Sequence, residues 1–324
     1  MFVFLSISYC NVFNQMKLQE NILDFSKDNN LWYLVQTDNK AYVLAIYDSH
    51  LKLINKKILS FKPLAIDICN NVIIIRSIDK ILGFDSSLEK IWQISGDYLI
   101  ESRNNTVYLI NEGSPEDEQD AEIIKLNYKN GAIIWKYKFN TGIIDYSISD
   151  NFKNIVIATE DNSLYIIKDN NVLNIRFSTY AIKVKIDNDG SIYAIHTAFK
   201  KGIELIKYNS ELSILKTISL KQNIGIKGLY KDSKELIILS DNLQRYSCND
   251  LKYIKTNDID IKIPTRGYRV YFEKGNFICI KETSDNNKID IKIEIIKLSG
   301  KKIYQKKYKC YYFKYKVYQD TIFF

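Results

Sequence analysis

Four short apolar runs, separated by tight polar turns, recur along this sequence at a spacing of roughly 40 residues. The clearest copy starts at Gly142, where GIIDYSISDN, KNIVIATEDN, SLYIIKDN and NVLNIRFST follow one another. Residues 62–95 repeat the pattern as KPLAIDICN, NVIIIRSID, KILGFDSS and LEKIWQIS, and residues 181–219 as AIKVKIDNDG, SIYAIHTAF, GIELIKYNS and ELSILKTISL. A unit of this size has apolar faces but no core of its own, so it must bury them against the units before and after it. No stretch keeps a helical period over three turns, and the fold class read from the pattern is all-β.

First strands centre near residues 23, 65, 99, 144, 183, 227, 269 and 313. That spacing predicts an eight-bladed β-propeller of four-stranded antiparallel blades in a single domain, 1–324. The eighth set stops after two strands at Phe324, while FLSISYCNVFNQMKLQE at 4–20 has the pattern of a third and fourth strand. The closing blade is therefore expected to be shared between the N- and C-termini, which leaves no long edge exposed. With Met16 as the start in place of Met1, seven blades and a C-terminal extension are the rival arrangement. Second and third strands such as NIVIAT and VIIIRS are almost continuously apolar, as strands covered on both faces must be. Fourth strands such as KIWQIS and KKIYQKKY alternate or carry Lys, as an outer edge that resists pairing with other chains should.

Composition narrows the class further. With 12 Gly and 3 Pro the chain is neither collagen-like nor linker-rich. Lys and Arg outnumber Asp and Glu by 46 to 38, and the resulting +8 favours anionic partners only where it is concentrated on one surface. Cys10, Cys69, Cys248, Cys279 and Cys310 are too few and too scattered for a disulfide framework, which points to a reducing, cytoplasmic setting. In the closing blade Cys10 and Cys310 are expected at opposite ends of parallel strands, too far apart for a bridge. The apolar FVFLSISY at 2–9 lacks the basic flank and cleavage site of a secretory signal, and no apolar run is long enough to span a bilayer.

The stretch NGAIIWKYKFNTGIIDYSISDNFKNIVIATEDNSLYIIK at 130–168 resembles the quinoprotein-like (PQQ-like) repeat, with Asn130, Gly131 and Trp135 at the turn and strand positions of that motif. LEKIWQISGDYLIESRNNTVYLI at 88–110 is a weaker copy, with Trp92 in place and no Gly before the strand. WD40-like repeats are the neighbouring family, although no GH…WD pair is present. The resemblance implies a propeller. It also implies, for enzymatic relatives, a quinone and calcium site on the inner strands, and that residue set cannot be placed here.

Phosphate loops, dinucleotide fingerprints, HExxH, CxxC and GxSxG are all missing, and two histidines, His50 and His196, do not build a His-rich metal site. His50 reads as a turn residue and His196 as a strand end. No catalytic residue, metal or cofactor is therefore expected. Two charged segments remain as candidate partner-binding sites. The acidic loop SPEDEQDAE offers Glu116, Asp117, Glu118, Asp120 and Glu122, without the Asp/Asn/Gly order of a calcium loop. The C-terminal run KKIYQKKYKCYYFKYKVY offers Lys301, Lys302, Lys306, Lys307 and Lys309 interleaved with tyrosines. The acidic loop and the turn around Cys310 are both expected on the ring face that carries the loops between second and third strands. The function read from the sequence is a non-catalytic protein-interaction scaffold. The alternative is a nucleic-acid-binding propeller that uses the basic, Tyr-rich run, with lysines on phosphates and tyrosines stacked on bases. A third reading, a quinone-dependent oxidoreductase, would need charged inner-strand residues to converge, the candidates being Asp24, Asp67, Glu101, Asp145, Lys183, Lys185 and Lys227.

Overall fold

The continuously apolar runs become the central strands of antiparallel sheets in a computed structural model of the chain, which describes residues 22–323 apart from 29, 39–40, 51, 104, 114–119, 199–201, 221–224, 241–242, 255–268, 274, 286–287, 299–300, 311–315 and 319–320. Among the described residues all helix or strand structure is strand. The chain divides into two compact units, Met1–Gly142 with Lys314–Phe324, and Ile143–Phe313.

The first unit holds three four-stranded sheets, each an up-and-down meander in chain order. They are β1 (Ile22–Asp28), β2 (Leu31–Asp38), β3 (Ala41–Tyr47) and β4 (Leu53–Leu59); β5 (Ala65–Cys69), β6 (Val72–Arg76), β7 (Lys80–Phe84) and β8 (Lys90–Ser95); and β9 (Leu99–Arg103), β10 (Thr106–Asn111), β11 (Glu122–Leu126) and β12 (Ile133–Lys138). The second unit repeats the meander in β13 (Ile143–Ile148), β14 (Asn154–Thr159), β15 (Ser163–Lys168) and β16 (Asn171–Arg176), then in β17 (Tyr180–Ile186), β18 (Ile192–Ala198), β19 (Gly202–Tyr208) and β20 (Ile214–Leu220). It continues with a three-stranded sheet, β21 (Gly228–Asp232), β22 (Glu235–Leu239) and β23 (Leu243–Ser247), whose outer side carries one further bridge, Tyr246 to Tyr253. Its last sheet is β24 (Arg269–Glu273), β25 (Asn276–Asp285), β26 (Lys288–Lys297) and β27 (Lys302–Cys310). A two-stranded sheet of β28 (Lys316–Tyr318) and β29 (Thr321–Phe323) belongs to the first unit. Seven of the eight first strands fall at or beside the positions the spacing predicts, and the eighth position, 313, lies outside the described residues. The N-terminal strands proposed for the closing blade, 4–20, lie outside the described residues, as does Cys10.

Sheet stacking follows from the period of two in a strand. On β6, Ile73 and Ile75 pack with Tyr33, Val35, Leu44 and Ile46 of the preceding sheet, while Ile74 between them packs with Val107, Leu109 and Ile124 of the following one. All three isoleucines are fully buried. Each contributes roughly 1.5–3 kcal/mol. In the second unit β18 behaves the same way: Ile192 and Ala194 face Val156 and Ala158, and Tyr193 and Ile195 face Leu236 and Ile238.

The turn between third and fourth strands supplies a second interlock. In each of four sheets one turn residue takes a left-handed backbone: Leu88 (φ 66°), Gly131 (φ 67°), Leu212 (φ 62°) and Leu251 (φ 52°). The turn before it is fastened by its own first residue, as where Asp85 Oδ1 accepts the N–H groups of Ser87 and Glu89 at 2.9 Å, and Asn209 Oδ1 those of Glu211 and Ser213. The three leucines are buried in the interface with the preceding sheet. Where the turn has Gly131, Trp92 of the preceding sheet fills the space, its Nε1 donating to the Tyr128 carbonyl at 2.7 Å. A Cβ on Gly131 would meet that ring at 2.6 Å, and one on Gly83 beneath it at 2.1 Å. Gly131 is thus matched to Trp92 of the repeat before it, and Leu88 occupies the position at which the sequence shows no glycine.

A leucine in this conformation carries a backbone cost of about 1–2 kcal/mol that its burial must exceed. Leu88→Gly is therefore expected to destabilise the protein less than Leu88→Ala, by about 1 kcal/mol, which inverts the usual order of the two substitutions. Urea unfolding midpoints of the two variants, at unchanged slope, measure it.

Candidate functional site

The acidic loop lies in the first unit and the candidate lysines at 301–309 in the second. Glu116, Asp117 and Glu118 lie outside the described residues. Asp120 is exposed just before β11. Glu122 is not a loop residue: it opens β11 and is buried, where it accepts the Tyr98 hydroxyl and the Lys136 ammonium, the latter at 2.7 Å. Burial pushes its carboxyl up, but the bonds from Lys136 and Tyr98 and the nearby Lys138 outweigh it and hold the group below the usual range. The same contact and the burial around it push the Tyr98 hydroxyl far up. This carboxylate is part of the sheet. Next to it, Gly96 has φ 127° and a Cβ there would strike the Tyr98 ring.

The first half of the basic run forms β27, the outermost strand of its sheet, and its end, Lys316–Tyr318, forms β28. Lys301 is exposed. Lys302 bonds Glu294 of β26 and, at 3.2 Å, Gln305; Lys292 reaches the other Glu294 oxygen at 3.2 Å. Glu294 is buried beside Cys279, and its two lysines keep it ionised, below the usual carboxylate range, against a burial that would raise it. Lys306, Lys307 and Lys309 stand opposite Ile293, Lys292 and Asp290 in the strand register.

Three aspartates of the first strands bond the sheet that follows their own. Asp24 Oδ2 accepts the Ile66 N–H of the next sheet at 2.8 Å, and Asp145 Oδ2 accepts the Val184 N–H at 2.8 Å. Asp67 Oδ2 accepts the Ser102 hydroxyl at 2.6 Å. A first strand has no neighbour on its inner side, so its outward N–H groups need an acceptor, and the adjacent sheet supplies a carboxylate. A bulge sits just before the residue in β1, β13 and β17, at Leu23, Ile144 and Ile182, and turns the next side chain toward the neighbour. In β17 that next residue is Lys183, which bonds Asp145 at 3.0 Å. Burial outweighs these partners and leaves the Asp145 carboxyl above its ordinary value. Among the described residues no cluster of three His, Cys, Asp or Glu side chains has a geometry that holds a metal.

His50 lies in an exposed turn and donates its backbone N–H to Asp48. His196 is fully enclosed in β18: its Nδ1 is 3.0 Å from Thr179 Oγ1, its Nε2 3.0 Å from the Tyr208 hydroxyl, and its ring meets the edge of Phe177. The histidine pins the connection at 177–179 onto the following sheet.

No family profile and no curated protein sequence matches this chain. Solved structures do match in shape. BamB from Moraxella catarrhalis is similar with a TM-score of 0.51 at 12% identity, over 87% of this chain and 82% of that one. The Dos1 propeller gives 0.53 at 14% identity, over 80% and 76%. The dihydro-heme d1 dehydrogenase NirN, solved in complex with DHE, gives 0.53 at 12% identity over 88% of this chain, which spans 65% of that one. The fold is a β-propeller of the kind that quinoprotein-like and WD40-like repeats build.

Burial pushes the His196 imidazole down to about 4. A histidine held neutral by the fold stabilises it above the unfolded value near 6.5, and that stability is lost as the pH falls from there through the folded value. The stability gap between wild type and His196→Gln is expected to narrow by about 3 kcal/mol from pH 7 to pH 4. Urea unfolding at a series of pH values reads it directly.

Proposed function

We propose that this chain is a non-catalytic protein-interaction scaffold built on a single eight-bladed propeller domain, with the closing blade shared between its termini. The observation that carries the reading is the commitment of four first-strand charges to the joints between sheets. Asp24, Asp67 and Asp145 accept hydrogen bonds from the neighbouring sheet, and Lys183 bonds Asp145. Groups fixed in this way hold sheets together; a catalytic centre on the same strands would need them aimed at a substrate. The chemistry left to the protein is recognition by its turns and outer strands, with Asp120 and Lys301 as exposed members of the two charged segments. A cytoplasmic setting is the companion proposal, supported by Cys69, Cys248 and Cys279 as buried free thiols.

A tagged copy purified natively, with and without nuclease, tests this. A defined protein set that survives nuclease is the expected result. Neutralising Glu116, Asp117, Glu118 and Asp120 together is expected to lower its recovery several-fold, and neutralising Lys301, Lys306, Lys307 and Lys309 is the second arm. Partners that vanish with nuclease, and binding that weakens steeply with salt, are the signature of nucleic acid and overturn the proposal.

A further inference from the structure

The outer strands of the first unit share a defect at one position. On β4 the register passes from Asn55 to Leu53 and leaves Ile54 without a partner; on β8 it passes from Trp92 to Lys90 and leaves Ile91; on β12 it passes from Trp135 to Ile133 and leaves Ile134. Each bulge thus carries an isoleucine, and these are 55%, 39% and 54% exposed. The second unit repeats the feature on β20 with Leu215. The residue after the bulge bonds the next sheet on β4 and β8, Asn55 to the Ser87 carbonyl and Trp92 to that of Tyr128. The fold leaves much of each isoleucine exposed.

Around these side chains the strands are basic. β4, β8 and β12 contain no Asp or Glu; of their lysines, Lys57 pairs with Glu89 at 3.1 Å and Lys136 with the buried Glu122 at 2.7 Å, while Lys56, Lys90 and Lys138 are exposed. The bulge itself twists the edge and interrupts its row of backbone groups, so an added strand would pair poorly there. What the edges present is therefore side chains. Neighbouring sheets pack about 10 Å apart, which places Ile54 and Ile134 on the order of 20 Å apart or more. A helix of about 14 residues covers that distance at its rise of about 1.5 Å per residue.

We propose that β4, β8 and β12 form a docking surface for an acidic amphipathic helix of a protein partner, with Ile54, Ile91 and Ile134 meeting its apolar stripe and Lys56, Lys90 and Lys138 its carboxylates. This rests on the scaffold reading and names the surface through which it works. The test places a photo-crosslinking p-benzoylphenylalanine at position 54, 91 or 134 of the full-length chain in its native cells, with exposed Asn171 of β16 as the control site, and maps each adduct by mass spectrometry. The expected result is adducts from all three sites on one segment, net acidic and with apolar residues at helical spacing. Lys56→Glu with Lys90→Glu is expected to cut those adducts at least tenfold at an unchanged unfolding midpoint. Adducts on lipid, on a second copy of the chain or on a basic or extended segment overturn the proposal, as does insensitivity to the charge reversal. Silence at all three sites while native purification still retains a protein set overturns this surface and leaves the scaffold reading standing. Silence together with a partnerless purification overturns both.

Discussion

Two-sided burial of the central strands is the constraint from which the other features follow. A strand covered on one face can alternate apolar with polar residues; Ile73, Ile74 and Ile75 cannot, since consecutive side chains enter different interfaces. Each interface is made by residues of two sheets, so no sheet has a core until its neighbour is present. Polar groups on these strands need a partner at once, and Tyr98, Glu122 and Lys136, or Lys292, Glu294 and Lys302, show the form such partnerships take.

The same demand explains the first-strand carboxylates. An inner edge with unsatisfied N–H groups would either draw in water or pair with a stray strand, and a carboxylate from the adjacent sheet prevents both. That residue type on that strand looks, in a sequence, like the acid of an active site. Its geometry is that of a fastener between adjacent sheets.

Much of the fold was legible because the periods were clean. The first strands at 65–69, 99–103 and 143–148 lie where the spacing puts them, and the lysines of β27 lie on an outer strand. What stayed hidden depends on side-chain direction. Glu122 was grouped with the acidic loop because the strand start at that residue is invisible in a run of charges, and its buried partner Tyr98 is 24 residues away. The match between Gly131 and Trp92 was missed because it joins two repeats, whereas the motif places Gly131 beside Trp135 within one. The left-handed leucines were missed because a turn is read from its Gly and Asn, and nothing local distinguishes Leu88 from any other apolar residue before a strand.

Those leucines also set a direction along the chain. Leu88 and Leu212 each hold an unfavourable backbone that is offset only by burial against the sheet before them, never the sheet after. A turn of this type is poorly formed until the earlier sheet exists. During synthesis the earlier sheet leaves the ribosome first, so every such turn emerges next to a surface already made to receive it. The order in which the chain is written is the order in which its interfaces are completed, and a circular permutation that placed one of these turns ahead of its sheet would lose that advantage while keeping every contact of the finished fold.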